Sequence, residues 1–182
     1  MEKNLQWHRE RKEILMKTRV FDVCKVTERS ETGVGGDYTV LDSDSWVIVV
    51  ADAGDDFIMV RQWRHGYSGI TAEFPGGCGE GCESVLETAA RELLEETGFK
   101  AGKLTLLATL SPNPALFSNR VSICLAEDLT DTCEQHPDPD EVINRVRVPK
   151  NEVLQSFGEG EYVHSFVGTA LALYIRHKGF RF

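Results

Sequence analysis

The segment from Glu83 to Thr97 constrains this chain more than any other. At about 100° per residue, Val85, Leu86, Ala89, Ala90, Leu93 and Leu94 fill one half of a helical wheel, so the spacing predicts an amphipathic helix that buries that half. Gly98 follows as a left-handed stop. On the other half, Glu87, Arg91 and Glu95 form an i, i+4 stripe, with Glu92 and Glu96 beside it at the same spacing. Glu92, Glu95 and Glu96 thus share an arc of roughly 100°. All three lie in the last two turns, where the helix dipole is negative and each acid costs about 0.3–1 kcal/mol. Arg91 offsets one of them at most. The plainer reading is a solvated acidic face. The sharper one is a divalent cation, because hard Mg²⁺ takes oxygen ligands, commonly a few carboxylates completed by phosphate oxygens.

The surroundings favour the sharper reading. The helix is fed by a Gly-rich loop, Pro75–Gly81, in which Gly76, Gly77, Gly79 and Gly81 let the backbone approach a ligand closely. Upstream, residues 18–27 alternate like a strand, Gly33, Gly35 and Gly36 mark a turn, and 38–41 read as a short strand. The apolar run 46–51 is joined through a turn at 53–56 to 57–62, a hairpin pattern. Strands are expected at 104–109, 120–126 and 142–148. An acidic surface loop containing Pro137 and Pro139 fills 127–141, and helices occupy 151–157 and 164–177. Without strict βαβ alternation, the fold class is α/β with a mixed sheet and helices on both faces.

Composition excludes several classes. With 182 residues the chain can bury a real core as one domain and still carry a small appended piece. A net charge of −9 with no basic block argues against a nucleic-acid backbone as partner, though not against a small phosphorylated ligand reached through a cation. No run approaches the roughly 18 apolar residues of a membrane span, and the charged start lacks a secretory signal. Cys24, Cys78, Cys82, Cys124 and Cys133 are odd in number and scattered, the pattern of reduced thiols. Cytoplasmic location and no membrane partner are the expectations. The histidines His8, His65, His136, His164 and His177 form no ligand set, although His65 could border a site beside Arg64.

Gly77, Glu83 and Arg91-Glu92-Leu93-Leu94-Glu95-Glu96-Thr97-Gly98-Phe99, at their spacing, resemble the Nudix box. Nine specified positions would coincide by chance on the order of once in ten million from average composition. Val60-Arg61-Gln62-Trp63-Arg64 and Glu73-Phe74-Pro75-Gly76-Gly77 resemble segments of the ADP-ribose and nucleoside diphosphate sugar pyrophosphatase branch, as does the stretch from Pro112 to Arg120. The resemblance implies the Nudix α/β/α sandwich at 41–182, extended at 1–40 by N-terminal antiparallel strands that help form a homodimer. It implies metal-dependent hydrolysis of a nucleoside diphosphate derivative, most simply ADP-ribose to AMP and ribose 5-phosphate, with Mg²⁺ or Mn²⁺. Other readings stay open: a nucleoside triphosphate pyrophosphatase, a nucleotide-sugar or dinucleotide hydrolase, or a non-catalytic ligand sensor.

By the same resemblance, Glu92 and Glu96 are the main metal ligands, with Glu95 nearby and the Gly76 carbonyl contributing. Glu83 and Arg91 join loop and helix, with Gly77 and Gly98 as structural positions of the box. Arg64 and Arg61 would hold the substrate, Glu73 would touch metal or substrate, and Phe117 would touch the nucleobase or sugar. The arginines read equally as exposed strand-end charge, and Glu73 as a structural acid. For the general base, Glu141 is the choice over Asp138, Asp140 and Glu95, although Asn144 stands where many family members carry a second acid.

Overall fold

The computed structural model describes residues 3–136 and 141–179. Two compact units emerge: Met1–Ser45 with Leu110–Arg120, and Trp46–Thr109 with Val121–Phe182. The first unit is a three-stranded antiparallel sheet, β1 (Trp7–Lys17), β2 (Asp22–Ser30) and β3 (Gly35–Asp42), in that order. β1 was not expected as a strand, because its WHRERKEILMK sequence has no two-residue alternation; it is exposed along nearly its whole length and so has no buried face to encode. Cross-strand ion pairs such as Arg9–Glu28 (2.9 Å) and Arg29–Glu10 (2.8 Å) line the sheet, each worth at most about 1 kcal/mol at such exposure. Residues 110–120 are stitched to β3 and the turn after it: Leu41 N–H donates to the Leu116 carbonyl (2.8 Å), and Asn119 Nδ2 to that of Asp44 (2.9 Å).

The second unit is a six-stranded mixed sheet. β4 (Trp46–Ala53) and β5 (Asp56–Arg64) form the expected hairpin around Gly54. β6 (Gly69–Glu73) then pairs antiparallel with the far end of β5. Helix α1 (Val85–Thr97) leads into β7 (Phe99–Leu110), followed by β8 (Val121–Asp131) and β9 (Ile143–Pro149). The strand order is β6-β5-β4-β8-β7, with β9 on the free side of β5. β4 and β8 run parallel, while β5 is antiparallel to β4, β6 and β9, so the sheet is mixed as expected. β6 was not anticipated. β8 continues into the segment expected to be a loop from 127 onward, and residues 137–140 fall outside the described residues.

Two-residue alternation distributes the core between faces. Val47, Val49, Ala51, Ile58, Cys124 and Ala126 meet Ala89 and Leu93 of α1. The other face meets α3 (Ser165–His177): Phe57 packs edge-on against Tyr174 with ring centroids 5.1 Å apart, and Trp46 likewise against Phe166 at 6.1 Å. A short helix, α2 (Lys150–Ser156), precedes α3. Helix–sheet–helix layering follows directly from a sheet that is apolar on both sides.

Candidate active site

Helix α1 is built for position at both ends. Its start carries a capping box: Ser84 Oγ accepts from Glu87 N–H, and Glu87 Oε2 accepts from Ser84 N–H (2.8 Å). Glu87 therefore does not join Arg91 in the stripe that the wheel suggested; its side chain is turned back to the cap. The helix stops at Gly98, left-handed at φ 70°, whose N–H bonds the Leu94 carbonyl (2.7 Å). Three further C-terminal carbonyls are satisfied from far along the chain. Glu95 accepts from His136 N–H (2.9 Å), Glu96 from the Gln135 side chain, and Thr97 from Arg145 Nη1 (2.8 Å). Arg145, which is also paired to Asp131 at 2.9 Å, puts a cation at the negative end of the dipole.

The buried face of α1 is rotated from the one read off the wheel. Leu86 and Ala90 are exposed, whereas Thr88, Ala89, Leu93 and Glu96 are buried and Glu92 half-buried. The acids thus sit on the inward side. Burial pushes the Glu96 carboxyl up to about 8, opposed by the Gly76 N–H and helped by the charges of Glu92 and Glu141. Burial likewise pushes Glu92 up to about 7, against the pull of Arg91. Such carboxylates are costly to leave charged and unpartnered.

The Gly-rich loop explains why they are held there. Val49 N–H donates to the Pro75 carbonyl and Val47 N–H to that of Gly77, both at 2.8 Å, so 75–77 runs as a quasi-strand along β4. Gly76 N–H points the other way and donates to Glu96 Oε2 (2.8 Å). In extended backbone the N–H and C=O of one residue share a side, so the Gly76 carbonyl also faces the acids. A side chain at Gly77 would collide with the Glu92 carboxylate, and one at Gly76 with the Val47 carbonyl. Arg91 latches loop to helix: it donates to Glu83 (3.0 Å), the Cys78 carbonyl (2.7 Å) and Glu95 (2.8 Å), and lies 2.9 Å from Glu92. Burial opposes its charge, but these acids more than compensate and raise its pKa.

The expected substrate residues separate by strand parity. Ile58, Val60, Gln62 and Arg64 of β5 share the α1 face. Arg61, three positions from Arg64, lies on the opposite face and is paired with Glu161 (Nε to Oε1, 2.8 Å). Both arginines are in β5, which runs two residues beyond the expected 57–62 stretch. Arg64 forks onto buried Glu73 with hydrogen bonds of 2.8 and 2.7 Å, and Thr71 Oγ1 donates to the same carboxylate. Burial raises the Glu73 pKa, but Arg64 and Thr71 more than reverse that, leaving it lowered. Arg64 lies within electrostatic reach of Glu96 and Glu141.

Glu141 joins this group. Ile143 pairs with Gln62, so continuing the antiparallel register carries 141 toward Arg64 on the α1 face. Its charge is felt at Glu92, Glu96 and Arg64. Asn144, by contrast, pairs with Arg61 and belongs to the opposite face. Phe117 belongs to the first unit, bridged to Leu41, and Asp138 and Asp140 lie outside the described residues. His65 is exposed. His164, given no role by the sequence, approaches Glu73 (3.8 Å).

Among the described residues, no three His, Cys, Asp or Glu side chains converge as a ready metal cage. What converges is smaller: two carboxylates, Glu92 and Glu96, and one backbone carbonyl. That set fits Mg²⁺ chemistry, in which one or two carboxylates suffice and substrate oxygens and waters complete the shell.

A NUDIX domain model matches residues 42–165, more than half of the chain. The chain is a Nudix hydrolase. ADP compounds hydrolase NudE of Escherichia coli strain K12 is 33% identical over 152 residues, 82% of this chain and 81% of that protein. ADP-ribose pyrophosphatase of Bacillus subtilis strain 168 is 36% identical over 110 residues, covering 60% of this chain and 59% of the relative. The crystal structure of an ADP compounds hydrolase shares the Nudix fold with a TM-score of 0.83 and 28% identity, over 96% of each chain. The α/β class with a mixed sheet and an N-terminal antiparallel sheet agrees with that fold. No described helix is long and apolar enough to cross a membrane.

Proposed function

We propose that this Nudix hydrolase cleaves the diphosphate of ADP-ribose, or of a closely related ADP compound, giving AMP and ribose 5-phosphate from the former. The observation that carries the site reading is the buried Glu96 carboxylate, held by Gly76 N–H beside Glu92, on a face that also presents Arg64 and Glu141. The names of the two relatives support ADP-linked substrates. Glu92, Glu96 and the Gly76 carbonyl would hold Mg²⁺ or Mn²⁺, with Glu95 at its margin. When bound, the cation neutralises phosphate oxygens and lowers the pKa of water.

The protein's own groups do the rest. Arg64, its fork fixed by Glu73, offers its remaining N–H groups to a diphosphate oxygen and orients the phosphorus. Glu141 takes the proton as water attacks, and the P–O bond to the departing phosphate breaks; Glu95 is the alternative base. Arg61, committed to Glu161 on the other face, supports substrate only indirectly.

The test is a panel of ADP-ribose, other nucleoside diphosphate derivatives and nucleoside triphosphates, assayed at fixed Mg²⁺ or Mn²⁺ with products identified. ADP-ribose or a close relative should give the highest kcat/KM, and Arg64→Ala should lower it at least about tenfold, the loss of a charge-assisted contact. Triphosphates as the preferred substrates would overturn the assignment.

We further propose a cytoplasmic homodimer formed through residues 1–40. Five cysteines, odd in number and scattered without paired spacing, support a reducing compartment. The edge strand β1 exposes Ile14, Leu15 and Met16 at about half their areas, a liability that a second chain would cover. Light scattering showing a monomer at micromolar concentration would count against the dimer.

A further inference from the structure

His164 caps helix α3: its Nδ1 accepts the backbone N–H of Phe166 (3.2 Å). A ring nitrogen that accepts carries no proton, so in the neutral imidazole the proton resides on Nε2. That nitrogen faces Glu73 Oε2 at 3.8 Å, beyond hydrogen-bond length but with the positive end of the N–H dipole toward the carboxylate. Burial lowers the pKa of His164, which favours this neutral form, while Glu73 pulls the other way.

Glu73 is almost saturated. Oε1 receives Arg64 Nε and Thr71 Oγ1, and Oε2 receives Arg64 Nη2, leaving the side that His164 faces. An ionised carboxylate offers about four lone-pair directions, so these three donors leave one, on the side that the imidazole N–H faces without hydrogen bonding to it. The carboxylate cannot rotate without breaking a hydrogen bond, and the imidazole stands over its remaining acceptor side. Arg64 is thereby fixed in turn, and its Nη1 donates to no described residue.

From this arrangement we propose that His164 is a positioning residue, which holds the Glu73 carboxylate from the side opposite Thr71 and so fixes the Arg64 guanidinium for substrate. This rests on the reading of Arg64 as a substrate contact. A helix cap with no other duty is the competing account, and the two separate cleanly. Asn is among the best N-cap residues and can still accept from Phe166 N–H, but it is too short to face Glu73 with a ring N–H.

The experiment compares wild type, His164→Asn, Arg64→Ala and the double variant by steady-state kinetics on the preferred diphosphate substrate, with thermal melts alongside. His164→Asn should keep its melting temperature within about 2 °C and its kcat within about twofold, while KM rises about fivefold. In the Arg64→Ala background the same change should add nothing, because residues acting through one contact are not additive. If Arg64→Ala raises KM but His164→Asn leaves it unchanged, or if the two effects multiply, the positioning role is wrong and the substrate reading stands. If Arg64→Ala itself leaves KM unchanged, the substrate reading of Arg64 fails and takes the inference with it.

Discussion

Helices α1 and α3 are both 13 residues long and pack on opposite faces of one sheet, yet they treat charge in opposite ways. α3 ends in the basic residues Arg176 and His177, and the Arg176 cation lies where the dipole is negative. The residue after it, Lys178, binds Asp52 (3.1 Å) and Glu127 (2.7 Å), and Tyr174 donates to Asp52 (2.9 Å). Every charge at that end favours the fold. α1 has no basic residue in its last turn, carries Glu92, Glu95 and Glu96 in its last two turns, and buries Glu96. It depends on Arg145, supplied by β9, for the cation its own sequence omits. A helix selected only to hold the sheet together would look like α3. On the proposed cation role of its acids, the departure in α1 is what the molecule gives up in stability for that role.

This contrast predicts a double dissociation. The largest effect should come from Glu96→Gln or Glu92→Gln: turnover should fall more than about a hundredfold, since losing even an outer-shell partner of a ligand costs about 10–100-fold. The same variants, melted in chelator, should be as stable as wild type or more so, because a buried carboxylate that resists ionisation has been made neutral. A loss of about 2–5 kcal/mol, the size of a core truncation, would make these acids structural and erase the difference between the helices.

Metal removal should act in the same sense. Chelation should abolish turnover with the far-UV circular dichroism unchanged, and returning the cation at about 100 times its dissociation constant should stabilise the fold by about 2.7 kcal/mol. Full activity after exhaustive chelation would sink the cation reading of α1.

On the α3 side the signs reverse. Burial opposes ionisation of Asp52, but Lys150, Lys178 and Tyr174 outweigh it and lower its pKa. Its contribution is therefore present above the ordinary carboxylate value and lost as pH falls through the depressed one. Asp52→Asn should cost about 1–3 kcal/mol near neutrality, with kcat little changed. The gap from wild type should close in the acid range below about pH 4, which urea unfolding at several pH values would check. The smallest effect belongs to the start of α1. Ser84→Ala removes one cap and should cost about 1 kcal/mol, read by the same denaturation, with activity retained.

Local signals were legible and distant ones were not. The span of α1, its Gly98 stop, the β4–β5 hairpin and the box acids all follow from spacing within some twenty residues. Ser84 and Glu87 were also readable, as an S-x-x-E capping box, but the wheel drew Glu87 to Arg91 instead. Strand parity could have separated Arg61 from Arg64, once 57–62 was read as continuing through Arg64. The rotation of α1 could not be read, because a wheel ranks Leu86 above Glu96 by hydropathy whereas the sheet and the Gly76–Gly77 loop decide which is covered. Arg145 on Thr97, Gln135 on Glu96 and His164 against Glu73 join residues 39 to 91 positions apart, and no periodicity encodes them.

The parallel pairing of β4 with β8 has a consequence in time. Trp46 pairs with Val121 and Ala51 with Ala126, 75 positions away in each case. The local signals of α1 are complete once Gly98 has been made, but two of the six buried strand residues it packs on, Cys124 and Ala126, come later. At a synthesis rate of about 5–20 residues per second, the helix emerges seconds before its sheet can close around it. Such long-range closure is intrinsically slow. During that interval the Leu93 face of the newborn helix has only β4 and β5 to cover it, and the place that β8 will take beside β4 stands open.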